Sequence, residues 1–252
     1  MTQMTLCLAA AQSASIRGDI AVNVRDHLRY VRTAADAGAD IVVFPELSLC
    51  GYELALLAEC VLAPHDARLE PLRDAAREYR LTIVAGAPLA SGTAHPHIGA
   101  IVFHPDGRTT PHSKQYLHDG EQAYASAGPG GPLLAVAGEP LALAICADIT
   151  NPGHPQAAAT AGAALYAAGM LVSEAGFATD AALLQRYAAE HGFGVLLANH
   201  AAPTGGWTPA GRSAFWAPGG KLVAAAPGAG EWLVLARREA AGWHGELHTP
   251  AR

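Results

Sequence analysis

The sequence predicts a layered α/β sandwich. Short apolar, β-rich runs alternate with stretches of helical spacing along most of the chain, and the last third turns β-rich. No linker, charge block, fixed-period repeat or long low-complexity tract interrupts the 252 residues, so residues 1–252 read as one domain. With 51% apolar residues, the chain has enough material for a sizeable core.

The elements follow in order. Thr5 to Gln12 is an apolar run that reads as a buried strand. Ile20, Val24, Leu28, Val31 and Ala35 recur at three- and four-residue spacing, which makes one helical face, and Gly38 suits the residue that ends such a helix. Ile41-Val42-Val43-Phe44 is a β-rich run stopped by Pro45, and a strand-helix-strand unit of this length pairs its strands in parallel. Leu69, Leu72, Ala76 and Tyr79 predict a second helix, Leu81 to Ala87 a strand, and Ile98 to Phe103 another, with a hairpin turn at Pro105-Asp106-Gly107. Leu141 to Ile145 is a further buried strand. A helix near Pro155 to Ala161 then leads into a strand at Ala163 to Ala167, and a helix over Thr179 to His191 into a strand at Val195 to Ala198. Ser213 to Ala217, Leu222 to Ala226 and Trp232 to Ala236 complete the strands, the first two joined by a turn at Pro218-Gly219-Gly220.

Composition narrows the function. A net charge of -6 argues against nucleic acid as the main partner. About a fifth of the residues are Ala, which packs helices but carries no chemistry. The apolar run Leu6 to Ala11 has no basic residue before it, Arg17 being the first, so a strand explains Met1 to Ile16 better than a signal peptide. No stretch reaches the roughly 18 uninterrupted apolar residues of a spanning helix. A soluble, cytoplasmic protein with no membrane partner is the expectation. Cys7, Cys50, Cys60 and Cys146 form no close pair, which favours reduced thiols over disulfides and excludes the tight pair a zinc site needs. The densest histidine pair, His95-Pro96-His97, reads as a solvated turn, and no metal site is expected.

Four charged or sulfur-bearing residues stand out. Glu46 follows a buried strand directly, where α/β folds place their sites and where burial suits a carboxylate to general-base work; it also fits a helix-initiating acid. Cys146 ends the run Leu141 to Ile145, at a corner where a thiol can reach a pocket floor and the next backbone N–H can face an oxyanion; an inert core thiol fits as well. Lys114 is one of only two lysines, with Lys221, and is a compact cation able to hold an oxyanion or lower a thiol's pKa; a solvated hairpin residue is the alternative. Glu121, alone, reads as a loop acid.

Taken in order, these residues make the sequence resemble the nitrilase superfamily, the carbon–nitrogen hydrolases with a Glu-Lys-Cys triad. The stretch Ile41-Val42-Val43-Phe44-Pro45-Glu46-Leu47-Ser48-Leu49-Cys50-Gly51-Tyr52 is similar to the family's first motif, Lys114-Gln115-Tyr116-Leu117 with Gly120-Glu121 to its second, and Ala144-Ile145-Cys146-Ala147-Asp148 to its third. Arg186 to His200 and Gly211 to Lys221 resemble the helix-strand and the late hairpin that follow. The resemblance implies a four-layer α-β-β-α sandwich with mixed sheets, a homodimer or higher homo-oligomer formed through outer helices, and no metal or organic cofactor. It implies Cys146 as nucleophile, Glu46 as base, Lys114 with the Ala147 backbone N–H as oxyanion donors, and Glu121 as a second carboxylate that positions substrate and lysine.

The sequence also departs from the family. Ala147 replaces an often larger residue, Asn151-Pro152-Gly153-His154-Pro155 replaces a more usual aromatic-Pro-Glu run, and Ala167-Ala168-Gly169-Met170 departs from a Pro-rich substrate loop. Asp148, two residues after the nucleophile, is similar to the amide-cleaving rather than the nitrile-cleaving branches. The resemblance thus implies a thiol amidohydrolase that takes a small linear amide or N-carbamoyl compound and releases ammonia. The alternatives are a nitrilase, a non-catalytic binding protein that keeps the fold, and an ammonia-supplying glutaminase that would need a synthetase in trans, because no second domain precedes Arg252. Tyr52, Tyr124, Met170 and Phe177 are the candidate pocket walls, on the loops Tyr52 to His65, Tyr124 to Gly131 and Met170 to Phe177.

Overall fold

A computed structural model describes residues 5–251, so Met1 to Met4 of the predicted N-terminal segment lie outside the described residues. In chain order the elements are β1 (Leu6–Gln12), α1 (Ile20–Asp36), β2 (Ile41–Val43), α2 (Glu70–Tyr79), β3 (Thr82–Leu89), β4 (His97–Phe103), β5 (Thr109–Ser113), β6 (Leu134–Val136), β7 (Glu139–Ile145), α3 (Gly153–Thr160), β8 (Leu165–Met170), α4 (Phe177–His191), β9 (Gly194–Asn199), β10 (Ala214–Trp216), β11 (Leu222–Ala225), β12 (Trp232–Glu239) and β13 (Gly242–His248).

Two sheets form, a seven-stranded one in the order β13-β12-β1-β2-β3-β4-β5 and a six-stranded one in the order β11-β10-β9-β8-β7-β6. Each has a parallel centre, β1-β2-β3 in the first and β7-β8-β9 in the second, flanked by antiparallel strands. The parallel strands are buried along nearly their whole length, as strands covered on both faces must be. One core joins residues of both sheets, including Leu8, Val43 and Leu235 with Leu143, Leu196 and Phe215. Helices α1 and α2 pack together outside the first sheet, and α3 and α4 outside the second. The result is the four-layer α-β-β-α sandwich.

Local chemistry sets the boundaries. Asp19 caps α1 by accepting from the Val22 N–H, and Gly38 follows the helix at φ 70°. Arg80 ends α2 in the left-handed region (φ 53°), and Gly192 ends α4 at φ 71°. One comparison from the sequence needs correcting. Ala167-Ala168-Gly169-Met170 is not a substrate loop but the buried end of β8, and the loop begins at Leu171. The segment is apolar because it is central sheet.

Candidate active site

Glu46, Lys114 and Cys146 each stand just past a strand end, where α/β folds place their sites. Pro45, which has no N–H to extend the ladder, stops β2, and Leu47 turns the chain with φ 53°. Glu46 is thereby set between the sheets and is buried. Two glycines allow this. A Cβ on Gly86 of β3 would overlap the Pro45 carbonyl oxygen and the Leu47 nitrogen, and one on Gly169 of β8 would reach to 2.7 Å from the Phe44 carbonyl oxygen. Ser48 adds a pin: its hydroxyl takes the Gly86 N–H at 3.1 Å and meets His27 Nε2 at 2.9 Å.

Lys114 follows β5 and is fully buried. Its Nζ donates to Glu46 Oε1 at 2.6 Å and to Glu121 Oε1 at 2.7 Å. Glu121, also fully buried, accepts the Tyr52 hydroxyl at 2.7 Å on the same oxygen and the His118 backbone N–H at 2.7 Å on the other. A lysine this deep needs such partners, because an unpaired ammonium in the interior is prohibitively costly. Glu46 Oε2, by contrast, is buried with no hydrogen-bond partner among the described residues.

Cys146 follows β7 directly at φ 43°, a left-handed conformation that costs a non-glycine residue about 1–3 kcal/mol. Asp148 holds that corner. Its Oδ2 accepts the Ile145 N–H at 2.9 Å, and its Oδ1 accepts the N–H groups of Gln115 and Tyr116, each at 2.9 Å. One carboxylate therefore ties the residue before Cys146 to the two residues after Lys114. At the sequence level Asp148 suggested only a substrate preference; its bonds to distant backbone carry no local signal.

Electrostatics follows from burial. Burial lifts the Glu46 carboxyl to about 7, with the Glu121 charge adding and Lys114 opposing. Burial pushes the Cys146 thiol well above its ordinary range, Glu46 reinforcing and Lys114 opposing. Burial works against the charge on Lys114, but Glu46, Cys146 and Glu121 together hold its pKa above the usual lysine value. At neutral pH the cluster is thus a thiol, a fixed ammonium and a carboxyl poised to exchange a proton. His200, missed in the sequence, lies behind it. Its Nε2–H donates to the Glu46 carbonyl oxygen at 2.8 Å, and burial lowers its pKa to about 4, so it is neutral.

A cavity of about 350 Å3 opens onto Glu46, Cys146 and Ala147. Tyr52 and Met170 line it, while Tyr124 and Phe177 do not. Gly120 (φ 95°) turns Glu121 inward, and Tyr124, at the end of that turn, comes out to 43% exposure. Phe177 opens α4 on its other side, under the Arg212 guanidinium at 5.1 Å, and lines a neighbouring groove. The remaining wall comes from residues the sequence did not single out, including His118, Thr150, Ser173, Asp180 and Trp207. His118 stands inside the Lys114–Glu121 motif; Trp207 lies in a Gly-Gly turn with nothing local to mark it.

Among the described residues no group of three or more His, Cys, Asp or Glu is arranged to hold a metal, and no helix is long and apolar enough to cross a membrane. The four thiols are free, those of Cys7, Cys50 and Cys60 being buried.

The chain is similar to known proteins over most of its length. The carbon-nitrogen hydrolase family matches residues 7–243. A glutamine-dependent NAD(+) synthetase of Xylella fastidiosa is 30% identical over 152 residues, a match that takes in 57% of this chain but only 28% of the synthetase. A protein described as a hydrolase in Mycobacterium tuberculosis is 30% identical over 173 residues, 65% of this chain and 60% of that protein. The chain therefore matches about a quarter of the first relative's length and six tenths of the second's. Among solved structures, an amidase from Nesterenkonia sp. matches with a TM-score of 0.83 at 26% identity, over 91% of this chain and 89% of that one. A cysteine-to-alanine mutant of that amidase, of the same TM-score at 25% identity, was solved in complex with butyramide, again over 91% of this chain and 89% of that one.

Proposed function

The chain belongs to the carbon–nitrogen hydrolase family, and from that premise we propose that it cleaves a small linear amide or N-carbamoyl compound through a thioester on Cys146, releasing ammonia. The observation that carries the reading is the buried Lys114 held by two carboxylates, one of which, Glu46, has an oxygen with no partner and lines a cavity together with Cys146.

In this mechanism the Cys146 proton passes to Glu46 as the sulfur attacks the carbonyl carbon. The raised thiol pKa means that little thiolate exists beforehand, so attack and proton transfer belong together. The carbonyl oxygen becomes an oxyanion. Lys114 has three N–H donors and spends two on Glu46 and Glu121, which leaves the third for that oxygen. The Ala147 backbone N–H supplies the second donor, next to a corner that Asp148 keeps rigid. Collapse of the intermediate breaks the C–N bond, and Glu46 returns its proton to the leaving nitrogen. Water then attacks the thioester, Glu46 taking a water proton, and the acid departs as the thiol re-forms. Glu121 keeps Lys114 charged and in place, with Tyr52 fixing Glu121 in turn.

Support for a small amide comes from the cavity's size and from the butyramide complex of the Nesterenkonia amidase mutant. The test is ammonia release from butyramide. Wild type should release it, and Cys146→Ala should lower the rate by at least about 10³-fold, the cost of removing a nucleophile. Undiminished release from Cys146→Ala would overturn the reading.

A further inference from the structure

The outer part of the cavity is chemically one-sided. Its wall contains no Lys or Arg side chain among the described residues, whereas Asp180 contributes a half-buried carboxylate. Asp180 belongs to the first turn of α4, where an acid is favoured by the helix dipole alone. Its N-cap, Gly176, has no side chain, and the charge that bears on the Asp180 carboxylate is that of His118, which lines the same cavity. Arg212 is engaged elsewhere: it pairs with Glu174 at 2.9 Å, lies over Phe177, and lines the neighbouring groove.

A second, independent feature stands on the same rim. Trp207 is 45% exposed although it lines the cavity. It is not a loose side chain on a loose loop. Gly205 and Gly206, both at positive φ (56° and 81°), make a tight turn closed by paired backbone bonds between Thr204 and Trp207 of 2.9 and 3.1 Å. That turn is fastened to the Tyr52 segment by the Tyr52 N–H on Thr204 Oγ1 and the Gly205 N–H on Glu53 Oε1, both 2.9 Å. The indole also has His118 edge-on, with ring centroids 6.5 Å apart, and the His118 Nδ1 faces the Asp119 carbonyl. A backbone-anchored, exposed indole and a half-buried carboxylate thus line one cavity, with His118 as the group whose charge bears on Asp180, and together they can attract a cation by charge and by the aromatic ring.

We propose that Asp180 and Trp207 form a subsite for a positively charged tail, so that the preferred substrate is a small amide or carbamoyl compound ending in a protonated amine or guanidine. This deepens the amidase reading and rests on it. An amide with a carboxylate tail would instead meet Asp180 with no Lys or Arg in the wall among the described residues to compensate, and is disfavoured.

Three probes of similar length separate the cases: 4-aminobutanamide, butyramide and succinamic acid, assayed for ammonia at pH 8 with the amine still protonated. In wild type, kcat/KM should fall in that order, with the amine exceeding butyramide by about tenfold, the scale of one charge-assisted contact plus a cation–π contact. Asp180→Asn should cut the amine-to-butyramide ratio to about two- to threefold, the share left to Trp207, and Asp180→Glu should restore the preference. An amine no better than butyramide in wild type, or a preference undiminished in Asp180→Asn, would overturn the subsite while leaving the amidase intact. If none of the probes is hydrolysed, the amidase reading fails separately, and equilibrium binding of the same three compounds to Cys146→Ala still decides the subsite: tighter binding of the amine supports it, and equal binding overturns it.

Discussion

Lys114 is the residue on which the site's electrostatics turns. It neutralises one of two carboxylates that would otherwise face each other in the interior. Lys114→Met removes the cation and leaves Glu46 and Glu121 unpaired, which should destabilise the fold by about 3–5 kcal/mol and abolish measurable turnover. Glu46, already lifted to about 7, would lose the cation that opposes the lift and rise further, so the penalty belongs to its ionised form. Denaturant melts should therefore show a large loss at pH 8 that shrinks towards pH 5, where Glu46 is protonated; a loss independent of pH would contradict the pairing. Glu46 itself sets the acid limb of activity. Its carboxyl, lifted to about 7, must be ionised to accept the thiol proton, so kcat/KM should rise through about pH 7 with a slope near one and level off above it. A flat profile from pH 5.5 to 8.5 would rule out Glu46 as the group that titrates. Glu46, Lys114, Glu121 and Cys146 were all legible, because each departs from the composition around it in an order that a family motif explains. Tyr124 and Phe177 were misplaced because aromatic character says nothing about which side of a turn a ring leaves from.

At the scale of elements, the site is a meeting of three strand ends, and Asp148 is what joins two of them. Asp148→Ala would strip the acceptor from the N–H groups of Ile145, Gln115 and Tyr116. At about 1 kcal/mol for each orphaned donor, the loss should be about 3 kcal/mol. Activity should fall further than stability suggests, because Cys146 is released from its strained φ of 43° and Lys114 loses its anchor. Asp148→Asn keeps one carbonyl oxygen, enough for the Gln115 and Tyr116 donors, and should recover part of both. Urea melts alongside kcat for the two variants check this, and an Asp148→Ala enzyme with wild-type kcat would remove the latch from the mechanism. Most elements could be read because buried parallel strands are apolar runs and the helices α1, α2 and α4 carry a buried stripe. Strand β13 could not: Gly242-Trp243-His244-Gly245-Glu246-Leu247-His248 is mostly exposed at the sheet edge and shows no alternation. Strand β5, with Pro111 and four polar residues, was visible only through the hairpin turn before it.

For the whole molecule, the sandwich depends on pairings that no local pattern announces. Strands β10 and β11 join the second sheet, whereas β12, a few residues later, crosses to lie antiparallel beside β1, and the register Ala9 to Leu235 is decided by packing across the core. The core also encloses histidines that couple stability to pH. Burial lowers His27 to about 3, opposed by its bond to the Asn23 carbonyl, and lowers His112 and His200 to about 4. Each is neutral in the folded state and protonates near the ordinary value of 6.5 once unfolded, so its contribution is complete above 6.5 and is lost as pH falls towards 4. Glu46 acts oppositely: raised from 4.5 to about 7, it takes up a proton in the folded state over the same interval and offsets one of the three histidines. Asp26, Asp40, Asp148 and Asp180, raised above 3.8, act in the same sense as Glu46, while His104 and His154, lowered, act with the three histidines. The three deeply buried histidines set against Glu46 leave two protons, and at ~1.4 kcal/mol per pH unit each, these four groups should lower stability by about 2–3 kcal/mol per unit between pH 6.5 and about 4.5. The Tm should therefore be level from pH 8 to 7 and fall steeply below 6.5, while the loss of activity through pH 7 reverses on return to pH 8, because titrating Glu46 leaves the fold intact. An equal Tm at pH 5 and pH 8 would mean that these histidines are hydrated or paired in the folded protein, and not sealed in its core.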